Sequence, residues 1–186
     1  LFGIRTKFND RVDLFTYFNL KSLPHVSVER NNLRWFRKEY TSGAALDNSI
    51  YFLGLPHEYG ENHEAYAKIL DKFIQRQSLQ VVYVPHRYEK IRESLKAVFD
   101  RFDVEVRQLG MPVEMYFLTS KIIPHTVAGV ASSAFFTLAF LYPDTKYQSI
   151  YHICNKSETR EMKEINKHLS EIGVEILNFR GNNYVN

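Results

Sequence analysis

The chain has 186 residues, of which 45% are hydrophobic, 15% aromatic and 24% charged. This composition excludes an intrinsically disordered chain, because disorder goes with few aromatic residues and little apolar side chain to bury. The net charge is only +3, and basic residues are interleaved with acidic ones, so there is no concentrated basic stripe of the kind that binds nucleic acid. A mild positive charge suits a protein that handles anionic substrates near anionic lipid.

The single cysteine, Cys154, means that no intrachain disulfide can form within these residues. It lies in an apolar stretch, and we expect it to be a buried small hydrophobic residue rather than a nucleophile. The most apolar segment, 127–142, is too short to span a bilayer and is interrupted by hydroxyl side chains.

From about residue 49 the chain alternates between predicted strands and helices. Apolar runs that end at Pro or Gly predict strands, and apolar residues at i, i+3, i+4 and i+7 predict amphipathic helices. The rhythm predicts an α/β fold with a Rossmann-like, doubly wound and mostly parallel sheet. In chain order the elements are a strand at 49–55, a helix at 66–74, a strand at 79–84, a helix at 91–102, a strand at 104–109, a helix at 112–120, a strand at 126–130, a helix at 132–141, a strand at 146–153, a helix at 157–172 and a strand at 174–178.

Residues 1–46 do not join this rhythm and are richer in aromatic and basic residues. We expect them to be the tail of a preceding domain or an interdomain connection, and residues 47–186 to form the α/β domain. The chain begins at Leu1 rather than at methionine, so we also expect it to be part of a longer polypeptide.

Polar clusters follow three of the predicted strands, at the points where these strands end. Ligands of an open α/β sheet bind outside the carboxyl ends of its strands, so the clusters predict one functional edge. The side chains concerned are Glu58, Glu61 and Glu64 after the first strand, His86 and Arg87 after the second, and Ser132 and Ser133 after the strand at 126–130.

Ser132 and Ser133 open a predicted helix, where free backbone amides carry partial positive charge and stabilise a phosphate. The alternative is that one of the two serines is simply an N-cap. The preceding Val127-Ala-Gly favours phosphate, because glycine lets a ligand approach the backbone closely.

His86 directly follows a buried strand, where a histidine can hydrogen-bond a phosphate or act as a general acid near neutral pH. Arg87 offers a bidentate fork for phosphate or carboxylate, or else pairs with Glu89. The alternative for His86 is an exposed loop histidine.

Glu114 stands near the start of its predicted helix, where a carboxylate gains from the helix dipole. The alternative is a carboxylate that accepts hydrogen bonds from both ribose hydroxyls of a nucleoside. Spacing alone leaves both interpretations open.

The histidines form no pattern typical of a structural zinc site, and neither a dinucleotide-binding glycine motif nor a Walker loop is present. A Gly-x-Ser-x-Gly motif is absent too, so the serines do not indicate a hydrolase. We therefore predict no metal site.

Four short motifs occur in order between about residues 48 and 142: Tyr51-Phe-Leu-Gly-Leu-Pro, Tyr83-Val-Pro-His-Arg-Tyr-Glu, Pro112-Val-Glu-Met-Tyr and Gly129-Val-Ala-Ser-Ser-Ala. As an ordered set they resemble the C-terminal half of bacterial sialyltransferases, in particular glycosyltransferase family 52, which includes lipooligosaccharide sialyltransferases and is related to the bacterial polysialyltransferases. The resemblance implies the nucleotide-binding half of a GT-B glycosyltransferase, with residues 1–46 as a connection to the acceptor-side domain or a remnant of it.

The resemblance assigns roles to the motif residues. It implies that His86 contacts the phosphate of CMP and protonates the leaving group, that Ser132 and Ser133 bind the same phosphate, and that Glu114 holds the ribose. Gly54, in the first motif, and Arg87, whose fork suits a phosphate, are also expected at the nucleotide site. Arg87 departs from the family pattern, which usually has proline after the histidine.

The implied reaction is an inverting, metal-independent transfer of sialic acid from CMP-sialic acid to a glycan acceptor of the lipooligosaccharide or capsule type, without a cofactor. The catalytic base is expected among Glu58, Glu61 and Glu64. We expect a cytoplasmic protein, with peripheral association with the inner membrane and homodimerisation as further alternatives. Two other functions stay open: a GT-B transferase that uses a UDP- or GDP-sugar, and a non-catalytic nucleotide-binding or interaction module.

Overall fold

The computed structural model describes residues 12–16, 20–31, 33–55, 63–151 and 160–179. Within these ranges the chain alternates between strands and helices, as follows: β1 Val12–Thr16, β2 Val26–Arg30, α1 Arg34–Thr41, β3 Ala45–Leu53, α2 His63–Ile74, β4 Val81–Val84, α3 Glu93–Phe102, β5 Glu105–Val106, α4 Val113–Ser120, β6 Ile122–Gly129, α5 Ala134–Leu141, β7 Lys146–Tyr151, α6 Arg160–Glu171 and β8 Glu175–Asn178.

Six strands form one sheet in the order β5-β4-β3-β6-β7-β8, and every neighbouring pair is parallel. The chain enters at the middle strand β3, moves outward through β4 and β5, and returns to β6 on the other side of β3. This is the strand order of a doubly wound α/β fold, and the direction of winding reverses between β3 and β6. The predicted α/β class with a parallel sheet is therefore confirmed.

The sheet is apolar on both faces because helices cover both. Ile50 and Phe52 of β3 face the cluster formed with α2 and α3, and Phe52 stacks on Tyr83 of β4 at 5.8 Å between ring centroids. Tyr51 and Leu53 face the opposite cluster, which includes side chains of α4, α5 and α6. Successive side chains of β3 are thus buried on opposite faces of the sheet, which is typical of a parallel sheet with helices on both sides.

Several strand and helix ends differ from their predicted positions. β3 begins at Ala45 instead of 49 and β6 begins at Ile122 instead of 126, because the two strands already pair from Ala45 to Asp47, where the residues of β3 are exposed or only partly buried. The predicted strand at 104–109 shortens to two residues because β5 lies at the sheet edge and pairs only with β4. The predicted helix at 132 begins at Ala134.

The segment before the sheet contains a separate parallel pair, β1 and β2, and the helix α1. No residue of α1 is buried, and Trp35 is 65% exposed. Two side chains connect this segment to the α/β unit. Tyr40 packs against the apolar cluster on the α4–α5 side of the sheet, and the guanidinium of Arg30 lies 5.5 Å from the ring centroid of Phe140. The domain boundary expected between 46 and 47 lies inside β3, and Cys154 lies outside the described residues.

The longest helices of the described ranges, α2 and α6, have 12 residues each. A helix needs about 20 apolar residues to cross a bilayer. In the part of the chain that the structure describes, no helix is both long and apolar enough to do so.

Candidate functional site

A cleft of about 430 Å³ opens at the carboxyl edge of the sheet, where β3 and β6 lie side by side. This is where open α/β sheets bind their ligands, and the volume is within the range of small-molecule sites. The lining comes from the loops after β3, β4 and β5 and from the beginnings of α4 and α5: Leu53, Gly54, Val84, Pro85, His86, Arg87, Leu109, Gly110, Met111, Pro112, Val113, Glu114, Ser132, Ser133 and Ala134.

The fold brings together every residue expected to bind nucleotide, since all six line this cleft: Gly54, His86, Arg87, Glu114, Ser132 and Ser133. The expected catalytic base is less well placed. Glu64 lies exposed in the first turn of α2 and is not a lining residue, while Glu58 and Glu61 lie outside the described residues. Within the described ranges, no three His, Cys, Asp or Glu side chains are grouped so as to hold a metal ion.

The two serines at the start of α5 have different hydrogen bonds. Ser132 Oγ accepts the Ala134 N–H at 3.3 Å, whereas Ser133, the N-cap residue, makes no side-chain capping bond. Ser132 therefore acts partly as the cap that the alternative interpretation expected. Because Ser132 Oγ accepts in this bond, the O–H groups of both serines can donate to a ligand.

The turn before these serines is anchored from the neighbouring strand. Ala131 has a positive φ of 33°, and its N–H donates to the hydroxyl of the fully buried Ser149 of β7 at 3.2 Å. The sequence analysis did not single out Ser149, because nothing in the predicted strand at 146–153 marks a serine that faces a loop.

Gly129 has a different role from the one expected. A Cβ at this position would lie 3.0 Å from the carbonyl oxygen of Leu53. The absence of a side chain therefore accommodates the close approach of strand β3, and Gly129 is not among the residues that line the cleft.

His86 begins a tight turn in which its carbonyl oxygen accepts the Glu89 N–H at 2.7 Å. The Tyr88 N–H donates to His86 Nδ1 at 3.4 Å, so in the neutral ring Nε2 carries the proton. Partial burial, with a smaller contribution from the charge of Arg87, lowers the pKa of His86 below its ordinary value. The guanidinium of Arg87 lies over the exposed ring of Tyr88 at 4.7 Å.

Glu89 does not pair with Arg87, the alternative that the sequence suggested. Its carboxylate instead accepts hydrogen bonds from the hydroxyl of Tyr83 and from the His86 N–H, the latter at 3.0 Å. Burial raises the pKa of the Glu89 carboxyl, although both hydrogen bonds act in the opposite direction. Since the folded protein holds this proton more tightly, the contribution of Glu89 to stability is lost as pH rises through the raised pKa.

Glu114 lies half-buried in the first turn of α4, beside the favourable end of the helix dipole. The helix is attached to the sheet by Arg107, which donates to the hydroxyls of Tyr116 on α4 at 2.8 Å and of Tyr51 on β3 at 3.0 Å. Glu105 holds the same guanidinium through both of its oxygens. This network places Glu114 at the cleft.

Neither the known protein-family models nor the curated proteins contain a match to this chain. Its function is therefore inferred from the geometry of its own cleft.

Proposed function

We propose that the cleft binds the CMP part of a CMP-sugar, and that the chain is the donor-binding half of an inverting, sialyltransferase-like glycosyltransferase. One observation carries this proposal: six residues chosen from short sequence motifs line a single cleft at the point where the sheet reverses its winding. Such a point is where doubly wound sheets bind nucleotides.

The chemistry of the lining suits the three parts of a nucleotide. The N-terminus of α5 with Ser133, and His86 on the neighbouring loop, supply hydrogen-bond donors for the phosphate. Glu114 supplies an acceptor for the ribose hydroxyls. The apolar wall between Leu109 and Val113 provides the surface on which the base packs.

In the proposed transfer an acceptor hydroxyl attacks the anomeric carbon of the sugar while its bond to the phosphate oxygen breaks. The proton of the hydroxyl passes to a carboxylate, for which Glu58, Glu61 and Glu64 are the candidates. His86 acts as the general acid in its imidazolium form, giving one ring proton to the departing phosphate and becoming neutral.

The donor class is tested by measuring thermal shifts of the 186-residue chain with CMP, UMP, GMP and AMP, and with UDP and GDP. We expect CMP to raise the melting temperature and the other nucleotides to leave it nearly unchanged, because ligands that bind only the folded state stabilise it. A shift with UDP or GDP alone would assign a different donor. No shift with any nucleotide would reject the proposal.

Replacing Glu114 by glutamine is expected to weaken CMP binding about fivefold, because the amide offers only one acceptor to the two ribose hydroxyls. The same variant should bind 2′-deoxy-CMP as the unmodified protein does, since that ligand lacks one of the hydroxyls. Isothermal titration of both ligands provides the measurement. An equal loss of affinity for both ligands would mean that Glu114 does not bind the ribose and acts only through the helix dipole.

A further inference from the structure

We propose that Glu89 is a positioning residue whose carboxylate holds the His86 turn in the arrangement that lets His86 meet the ligand's phosphate. The inference rests on the proposed function of the cleft. It concerns a side chain that does not line the cleft but contacts two residues that do, Gly54 and His86.

The turn is closed twice between the same two residues. The Glu89 N–H donates to the carbonyl oxygen of His86 at 2.7 Å, and the His86 N–H donates back to Glu89 Oε2 at 3.0 Å. This reciprocal pairing fixes both ends of the four-residue turn, as a capping box fixes the first turn of a helix. Because both hydrogen bonds involve the backbone of His86, they also fix the point from which its ring projects.

The second oxygen of Glu89 is anchored inside the domain. It accepts the hydroxyl of Tyr83 on β4, and that hydroxyl lies 3.2 Å from the hydroxyl of Tyr66 on α2. Both tyrosines are buried in the apolar core. The carboxylate therefore connects the His86 turn to a strand and a helix that cannot move independently.

Gly54 provides the space for this carboxylate. A Cβ on Gly54 would lie 2.0 Å from Glu89 Oε2 and 2.7 Å from the Tyr83 hydroxyl oxygen. The end of β3 thus contacts Glu89 directly, and the carboxylate joins the loops that follow β3 and β4. Those two loops form one wall of the cleft.

A carboxylate is a costly group for this position, because burial works against its charge. It is nevertheless the only side chain of this length with two acceptor oxygens, one for each of the two donors that approach it. A glutamine satisfies one donor and presents its own N–H₂ to the other. The requirement for two acceptors explains why a partly buried acid stands here, and the same two hydrogen bonds fix the position of the His86 backbone.

The test compares E89Q and E89D with the unmodified chain and with E93Q, a control on α3 whose carboxylate is 88% exposed and pairs only with Lys96 among the described residues. E89D keeps the charge but withdraws both oxygens by one methylene. Affinities for CMP and for cytidine are measured by NMR titration. The ratio of the two affinities isolates the contribution of the phosphate, which a general loss of stability does not change.

We expect E89Q and E89D to lower this ratio about tenfold while cytidine affinity stays within about twofold, and E93Q to change neither. The His86 amide resonance should also move upfield in E89D without any ligand, because its acceptor oxygen is withdrawn. An unchanged ratio in both Glu89 variants, with CMP still preferred, overturns the inference and leaves the proposed function standing. An unmodified chain that does not prefer CMP to cytidine overturns both.

Discussion

Replacing Gly54 by alanine is expected to lower the free energy of unfolding by about 2–3 kcal/mol, a large effect for one methyl group. The added Cβ would overlap Glu89 Oε2 and the Tyr83 hydroxyl, so the carboxylate must leave its position. Its hydrogen bonds from Tyr83 and from the His86 N–H are then lost, so a buried hydroxyl and a partly buried N–H both lose this acceptor. Urea denaturation followed by circular dichroism measures the change.

Gly110 offers a matched control, because it lines the same cleft and a Cβ there meets nothing within 4 Å. G110A should therefore unfold at nearly the same urea concentration as the unmodified chain. A double-mutant cycle with E89A locates the cause: G54A should cost clearly less when Glu89 is absent, with the Tyr83 hydroxyl responsible for the remainder. Equal costs in the two backgrounds would contradict a clash with the carboxylate.

Replacing His86 by glutamine is expected to weaken CMP binding about 10- to 100-fold at pH 6, because a charge-assisted hydrogen bond to the phosphate is lost. The effect should shrink as pH rises. In the free protein the pKa of His86 lies below its ordinary value, since burial and Arg87 disfavour the imidazolium. A bound phosphate favours the imidazolium and raises this pKa, so binding takes up a proton between the two pKa values.

Isothermal titration from pH 6 to 8.5 tests this dependence. CMP affinity of the unmodified chain, taken relative to H86Q, should rise as pH falls through the pKa of the complex and level off below that of the free protein. The ratio removes the phosphate's own titration, which both proteins share. H125Q, on an exposed position near the start of β6, should behave like the unmodified chain. If H86Q lost the same factor in CMP affinity at every pH, His86 would instead donate to the phosphate as a neutral imidazole.

The sequence predicted the order of elements well because local patterns decide it. Apolar runs that end at Pro56 and Pro85 predict buried strands, and apolar residues at helical spacing predict amphipathic helices. The weak points were element ends. The first residues of β3 and β6 pair with each other, but Asp47 and Asn48 in β3 and Pro124 and His125 in β6 interrupt the apolar runs that would reveal this pairing. β5 is shortened by its place at the sheet edge.

The residues of the cleft could be selected from the sequence because each follows a predicted strand or opens a predicted helix. Parallel strands end at the same edge of a sheet, so the sequence alone predicts that His86, Glu114 and Ser133 are neighbours, and all three line the cleft. Chain order and local chemistry are sufficient for that step.

The partners of those residues depended on the tertiary structure. Glu89 stands two residues after Arg87 in the sequence, and only the packing of β3 against β4 brings Gly54 and Tyr83 to its carboxylate in place of the guanidinium. Ser149 reaches the loop before α5 in the same way, across from β7. The periodicity of apolar residues in the sequence indicates which face of an element is buried. The hydrogen-bond partners of a side chain depend instead on the register between strands that are far apart in sequence. By itself the sequence determined the α/β fold and the edge at which a ligand is expected, and the tertiary structure decided how His86 is held there.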